Sequence, residues 1–193
     1  YSHHGVNVDD VRLAVRKLTS GKSGGDHAPS SDHYLNAPHE LLIHSSLLIS
    51  CFLSHSFLSS DLLHSSLISI PKNAKKSIQN SNNYRSIAIS NILGKIIDNM
   101  IIEKHRETLN SSALQFGFKP KHSTTQCVFA VNEILNHFVQ NDSICHVILL
   151  DASKAFDRVH FIKLFDLLIK RNMCPLTILF LLYTYTHQTM SAK

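Results

Sequence analysis

Cysteine is scarce in this chain and never closely paired. Cys51, Cys127, Cys145 and Cys174 are the four in 193 residues, and none forms a Cys-x-x-Cys pair. A zinc ribbon needs closely spaced ligands and a small disulfide scaffold needs denser cysteine, so neither is supported. The expectation is four free, buried thiols in a reducing compartment. An initiating Met and a signal-peptide pattern are also lacking. The chain opens Tyr1-Ser2-His3-His4, which reads as the interior of a longer frame and not as a secretory leader. Asp, Glu, Lys and Arg are absent from Leu41 to Ser60, a stretch about long enough to span a bilayer. His44, His55 and seven serines dilute its hydrophobicity, however, and no basic flank orients it. It reads as a mostly buried helix, and no membrane partner is expected.

What is present fits one domain with a real core. The hydrophobic fraction is 44%, ordinary for a globular protein, so disorder throughout is not expected. Lys and Arg exceed Asp and Glu to give a net charge of +5 and a pI near 9.1. Such a balance favours a polyanionic partner, since each phosphate neutralised releases a condensed counterion. Fourteen histidines would add charge in acid.

Apolar periodicity divides the chain into mixed elements. Val8, Val11, Val15 and Leu18 recur at helical spacing behind Asn7, a candidate N-cap. Gly21-Lys22-Ser23-Gly24-Gly25-Asp26 opens a turn-rich stretch that runs to Pro38, and a Ser/Leu-rich helical region covers 39–60. Residues 66–71 and 84–90 alternate polar and apolar side chains, which predicts an antiparallel strand pair around a basic loop. Helices are expected over 91–109, 123–139, 160–172 and 175–187, the last two separated by Pro175. Between them, Ile144 to Leu150 is an almost continuous apolar run that ends at Asp151. Such a run predicts a strand buried on both faces, with an acid at the end where open α/β sheets place chemistry. No internal repeat and no clear linker is seen.

Asp151-Ala152-Ser153-Lys154-Ala155-Phe156-Asp157-Arg158-Val159 is the sharpest motif. A carboxylate at the tip of a buried strand can hold Mg²⁺, a hard cation that wants oxygen ligands. Equally, Asp151 can cap the strand end while Asp157 pairs with Lys154 or Arg158 on the surface. An apolar run followed by Asp-x-x-Lys-Ala-Phe-Asp-x-Val resembles the first catalytic motif of LINE-type (non-LTR) reverse transcriptases. Further blocks resemble that family in the same order. Gly21 to Asp26 is similar to a Gly-Lys-Ser-Pro-Gly-x-Asp motif that has lost its Pro. Ser69-Ile70-Pro71-Lys72 precedes Asn83-Tyr84-Arg85-Ser86-Ile87, which resembles Asn-Tyr-Arg-Pro-Ile with Ser86 in place of Pro. Leu93-Gly94-Lys95-Ile96 follows, and Gln115-Phe116-Gly117-Phe118 with Ser123-Thr124 resembles Gln-x-Gly-Phe…Ser-Thr.

The resemblance implies an α/β (α+β) right-hand polymerase fold. Residues 1–60 would be an N-terminal helical extension or part of the fingers, and 61–193 the fingers and an incomplete palm. It implies an RNA-directed DNA polymerase using Mg²⁺, with RNA template, DNA primer and deoxynucleoside triphosphates as partners. By position, Asp151 is implied as catalytic metal ligand, with the backbone carbonyl of Ala152 as a second ligand. Phe156 takes the place of the ring that excludes a ribose 2′-hydroxyl. Arg85 and Lys95 would grip the triphosphate, and Lys119, Lys121 and His122 would touch the template–primer backbone. Asp157 is assigned to structure. Nuclear action is implied, with the cytoplasm left open and secretion not expected.

One departure limits this reading. The family's Tyr/Phe-Ala-Asp-Asp block, which supplies two further metal-site carboxylates, does not occur in the sequence. Asp9-Asp10, the only Asp-Asp pair, lies in the first helix. With one carboxylate in place of three, and no thumb, the 193 residues are expected not to polymerise alone. Two other readings stay open: a non-catalytic nucleic-acid-binding remnant of the same fold, and a piece whose incomplete sheet forms no stable fold.

Overall fold

The computed structural model describes residues 5–25, 28–73, 79, 83–152 and 155–192. Asp26, His27, Ser153 and Lys154 of the motifs above, the opening Tyr1 to His4 and parts of the basic loop lie outside these residues. Two compact units emerge from the packing, one formed by 1–108 with 165–193 and the other by 109–164.

The first unit begins with helix α1 (Val8–Arg16). Asn7 caps it as expected: its side chain accepts from the Asp10 amide at 2.8 Å, and its own amide donates to the Asp10 carboxylate at 3.0 Å. The short α2 (Ser31–Leu35) lies within the stretch read as turns. Four or five residues are too few for periodicity to reveal a helix. The region 39–60 divides into α3 (His39–His55), which ends on Ser56 in the left-handed conformation, and α4 (Ser60–Leu63). Only one face of α3 is buried, through Leu42, Ser45, Ser46, Ile49 and Leu53. Leu41, Leu47 and Leu48 remain exposed, which corrects the expectation of a mostly buried helix. No helix among the described residues is long and apolar enough to cross a membrane.

The predicted strand pair is present. β1 (His64–Pro71) and β2 (Tyr84–Ser90) run antiparallel, in register from Ser65 opposite Ser90 to Pro71 opposite Tyr84. Buried Asn83 closes the base of their connection. Its side chain accepts from the Asn73 amide and donates to the Asn73 carbonyl, at 3.2 and 3.0 Å. Helix α5 (Ile92–Lys104) follows at once, capped by Asn91. α8 (Pro175–His187) starts with proline at its first turn, where the missing N–H costs nothing. After it, β3 (Thr189–Ala192) joins β1 in parallel, giving the sheet order β2-β1-β3. This strand is polar and four residues long, so only its pairing with β1 distinguishes it from coil. His64 helps fix it, with its ring nitrogens 3.1 and 3.0 Å from the hydroxyls of Thr189 and Ser191.

Burial of α5 organises this unit. Ile92, Ile96, Ile97 and Met100 are almost wholly enclosed, in one cluster with Val11 of α1, Ile49 of α3 and Phe180 of α8. Polar contacts tie the same elements together. Asn99 donates to the Ala14 carbonyl, Lys104 pairs with Asp10, and Lys17 pairs with Glu103. A smaller cluster of Leu168, Met173 and Ile178 lies by α7 (Phe161–Lys170), a helix whose first residues belong to the second unit.

The second unit contains α6 (Thr124–Gln140), capped by Ser123 in a reciprocal pair with Gln126. None of its described residues is buried. Residues 144–150, expected as a strand buried on both faces, form no ladder, and Leu149 and Leu150 are 91% and 93% exposed. An apolar run carries the propensity to extend, but a buried strand also needs neighbours that complete its hydrogen bonds and cover both faces. The described residues of this unit provide neither. The cysteines are not buried, which corrects the expectation of buried thiols: Cys51 is exposed and the other three are half-buried. Cys51 faces outward because α3 buries only its other face.

Ile96→Ala is expected to cost about 2–5 kcal/mol in urea unfolding, while Ile102→Ala, on the exposed side of the same helix, should stay within about 0.5 kcal/mol. His105 generates a second expectation. Partial burial, and then the charge of Lys104, lower its pKa below the ordinary histidine value. The folded state therefore prefers the neutral ring. The associated stability is present above about pH 6.5 and lost as pH falls through the folded-state value. His105→Gln should give a shallower decline of melting temperature below that pH.

Candidate functional site

The residues that carry the motif resemblance fall in both units, so each unit is described by itself. In the second, Asp151 and Ala152 follow the apolar run 144–150 directly, and both are exposed. The Asp151 carboxylate faces solvent, at the open end of that run. Phe156 is also largely exposed, but it meets Phe118 edge-to-face, with ring centroids 6.2 Å apart and planes at 89°. Such a pair is favoured by the ring quadrupoles. It brings the Gln-Phe-Gly-Phe block and the Asp151 motif into contact. Both blocks are visible along the chain, yet Phe118 does not stand out there, since nothing in a linear pattern says which two rings will touch.

The basic tail of that block is a structured turn. Lys119 donates to the Ser112 carbonyl at 3.2 Å, and His122 sits 3.0 Å from the Pro120 carbonyl and edge-on to Phe116. Lys121 and Phe118 both adopt left-handed backbone, φ +62° and +56°. That conformation is disfavoured for residues with a Cβ and needs support from its surroundings. Lys121 is exposed, with Lys119 and His122 half-buried beside it.

In the first unit Arg85 stands on β2, exposed, opposite Ile70 of β1. Lys95 lies half-buried in the first turn of α5. It lines a concavity with Lys17, Lys22 and Asp98. Thus Lys95 and Lys22, from two separate motifs, meet at one place, whereas Arg85 does not line that cavity.

Metal binding can be tested on the donors present. Among the described residues no three His, Cys, Asp or Glu side chains gather as a metal site. Mg²⁺ prefers octahedral oxygen coordination through one or two carboxylates with waters and phosphates, and a metal pair needs more than that. One exposed carboxylate and one carbonyl, at Asp151 and Ala152, do not by themselves fit a pair of Mg²⁺ ions.

The glycine-rich segment is held by side chains that its motif does not include. Asp32 accepts from the Ser20 hydroxyl at 2.6 Å and from the Gly21 amide at 3.0 Å, where Gly21 has φ +72°. Lys22 and Ser31 exchange two bonds, each 2.9 Å. A Cβ at Gly24 would stand 2.4 Å from the Pro29 carbonyl oxygen, so only glycine fits. The Ser20 and Gly21 bonds, in that order, hold the Asp32 carboxyl below its ordinary range. The tie is accordingly present above the unfolded value and is lost as pH falls through the folded one. In an NMR titration the Gly21 amide should shift with a midpoint below the ordinary aspartate value of about 3.9. A midpoint at or above that value would mean the tie does not form in solution.

Comparison with known proteins gives one consistent result. The profile of the family described as "Reverse transcriptase (RNA-dependent DNA polymerase)" matches residues 70–191, well over half of the chain. Among curated proteins, the chain is 23% identical over 163 residues to "Probable RNA-directed DNA polymerase from transposon BS" of Drosophila melanogaster. It is 23% identical over 158 residues to "RNA-directed DNA polymerase from mobile element jockey" of Drosophila funebris. Each match covers 80% of this chain and 17% of the relative, so the chain spans about a sixth of the length of the curated relatives it matches. The matched span contains Arg85, Lys95, the Phe118 loop and Asp151 in one continuous stretch, and the chain belongs to the reverse transcriptase (RNA-dependent DNA polymerase) family.

Proposed function

We propose that this chain forms the fingers and the start of the palm of an RNA-directed DNA polymerase, with residues 1–60 as its helical N-terminal part. The observation that carries this reading is the continuous family match over 70–191, which contains the Asp151 motif. Asp151 is this chain's contribution to the metal site, helped by the Ala152 carbonyl. Its exposed carboxylate at the end of an apolar run can be approached by other groups. Phe156, packed on Phe118, screens the sugar of the incoming nucleotide. Arg85 and Lys95 contact its triphosphate, and Lys119, Lys121 and His122 contact the backbone of template or primer. Cations suit both tasks because phosphates are the dominant charge on each ligand.

These 193 residues alone do not extend a primer. They offer one metal-site carboxylate, Asp151, and Mg²⁺-dependent nucleotidyl transfer needs more. The same observation supports a second reading, that the chain on its own binds nucleic acid through its net positive charge without catalysis.

A polymerase that joins this chain to a segment bearing Tyr-Ala-Asp-Asp and a thumb should extend a DNA primer on an RNA template with Mg²⁺. Asp151→Ala should lower that extension by roughly 1,000-fold, several kcal/mol of charge stabilisation being removed. Asp157→Asn should change it by less than about tenfold, as expected of a surface substitution. Extension that survives Asp151→Ala would show that the motif is misassigned.

A further inference from the structure

A concavity of about 340 Å³ lies in the first unit where the end of α1, residues 19–22 and the start of α5 come together. Its lining carries three ammonium groups, Lys17, Lys22 and Lys95, against one carboxylate, Asp98. Lys17 is engaged by Glu103, which also takes a bond from Arg106. Lys22 and Lys95 make no ion pair among the described residues. Like charges gathered on one concave wall repel, and the low-dielectric surroundings focus their field onto an incoming anion.

The cavity is also built in advance of any ligand. The backbone of Lys22 is bonded in both directions to Ser31, whose residue is 1% exposed, while Gly21 is tied to Asp32. Gly24 packs where no side chain can enter, and Ile92 beneath the cavity is wholly buried. Lys95 stands one turn along the same rigid helix. Little ordering therefore remains to oppose binding.

We infer that this cavity is a phosphate-binding site, in which Lys22 and Lys95 close on one phosphate group with Lys17 beside them. The inference rests on the phosphate-contact reading of Lys95 and extends it to a site that Arg85 does not share. It does not involve Asp151. Ammonium groups act here as point charges, which suits a phosphate approached from one side of a solvent-open hollow.

The experiment uses the full chain, with fluorescein-labelled oligouridylate as one probe and deoxyadenosine triphosphate as competitor, measured by anisotropy across a salt series. For Lys22→Gln/Lys95→Gln, the magnitude of the slope of log affinity against log salt should fall by about 0.7, the value for one phosphate of a single strand that is no longer neutralised. Lys22→Gln alone, confined to an exposed loop side chain, should lower the slope in the same direction by no more than about 0.7 and keeps the test valid if the pair perturbs α5. Lys163→Gln, an exposed change in the second unit, should leave the slope as it was. The readout is binding without primer extension, so failure here is separable from failure of the polymerase reading. A lower slope with unchanged triphosphate competition assigns the phosphate to a nucleic-acid strand. Weaker triphosphate competition with an unchanged slope assigns it to a nucleotide. Folded lysine variants that behave as the parent does towards both probes overturn the inference.

Discussion

The packing of α5 is the constraint on which the first unit depends. Ile92, Ile96, Ile97 and Met100 are removed almost wholly from water, and the elements that cover them come from distant parts of the chain: α1, α3 and α8. Because α5 follows β2 after a single capping residue, its position also anchors the strand pair. Because Lys17 and Asn99 join α1 to α5, the same packing brings Lys17 beside Lys95. The basic cavity is thus a consequence of core burial, with charged groups left at the rim of an apolar contact.

The second unit has the opposite character. It holds the most distinctive motif, yet none of its described residues is buried, and α6 and the run 144–150 present apolar side chains to water. Local devices define what order it has: a capping box on α6, a ring pair between Phe118 and Phe156, and backbone bonds around Lys119 and His122. Such devices contribute small increments each and do not replace a covered core. A polymerase motif is sensitive to this difference, since catalytic carboxylates must be held to fractions of an ångström by their supporting shell.

Several elements were legible from their residues. Asn7 before Val8 marks a helix start because its side chain can satisfy an orphan backbone amide, and the helices expected from 91 and 123 begin one residue later, at Ile92 and Thr124. Alternation around Ile68, Ile70, Ile87 and Ile89 predicted the β1–β2 pair, as period two requires. The short α2 and polar β3 were not legible, since neither has a periodic apolar face. Of the site residues, the family blocks could be found in order along the chain. The ties from Asp32 and Ser31 to the glycine-rich loop could not, because they join separated positions by hydrogen bonds that leave no pattern.

Residues alone were enough for the family, the longer helices, the β1–β2 pair and the basic character, because motifs, periodicity and charge are local properties of the chain. Tertiary structure alone decided which charges meet. Lys17, Lys22 and Lys95 share a cavity only because α1 packs on α5, and Phe118 touches Phe156 only because the segment between them, α6 included, returns. It likewise decided the state of residues 144–150. An apolar run states a preference for burial, but burial is a property of what packs against it, and no stretch of sequence carries that information alone.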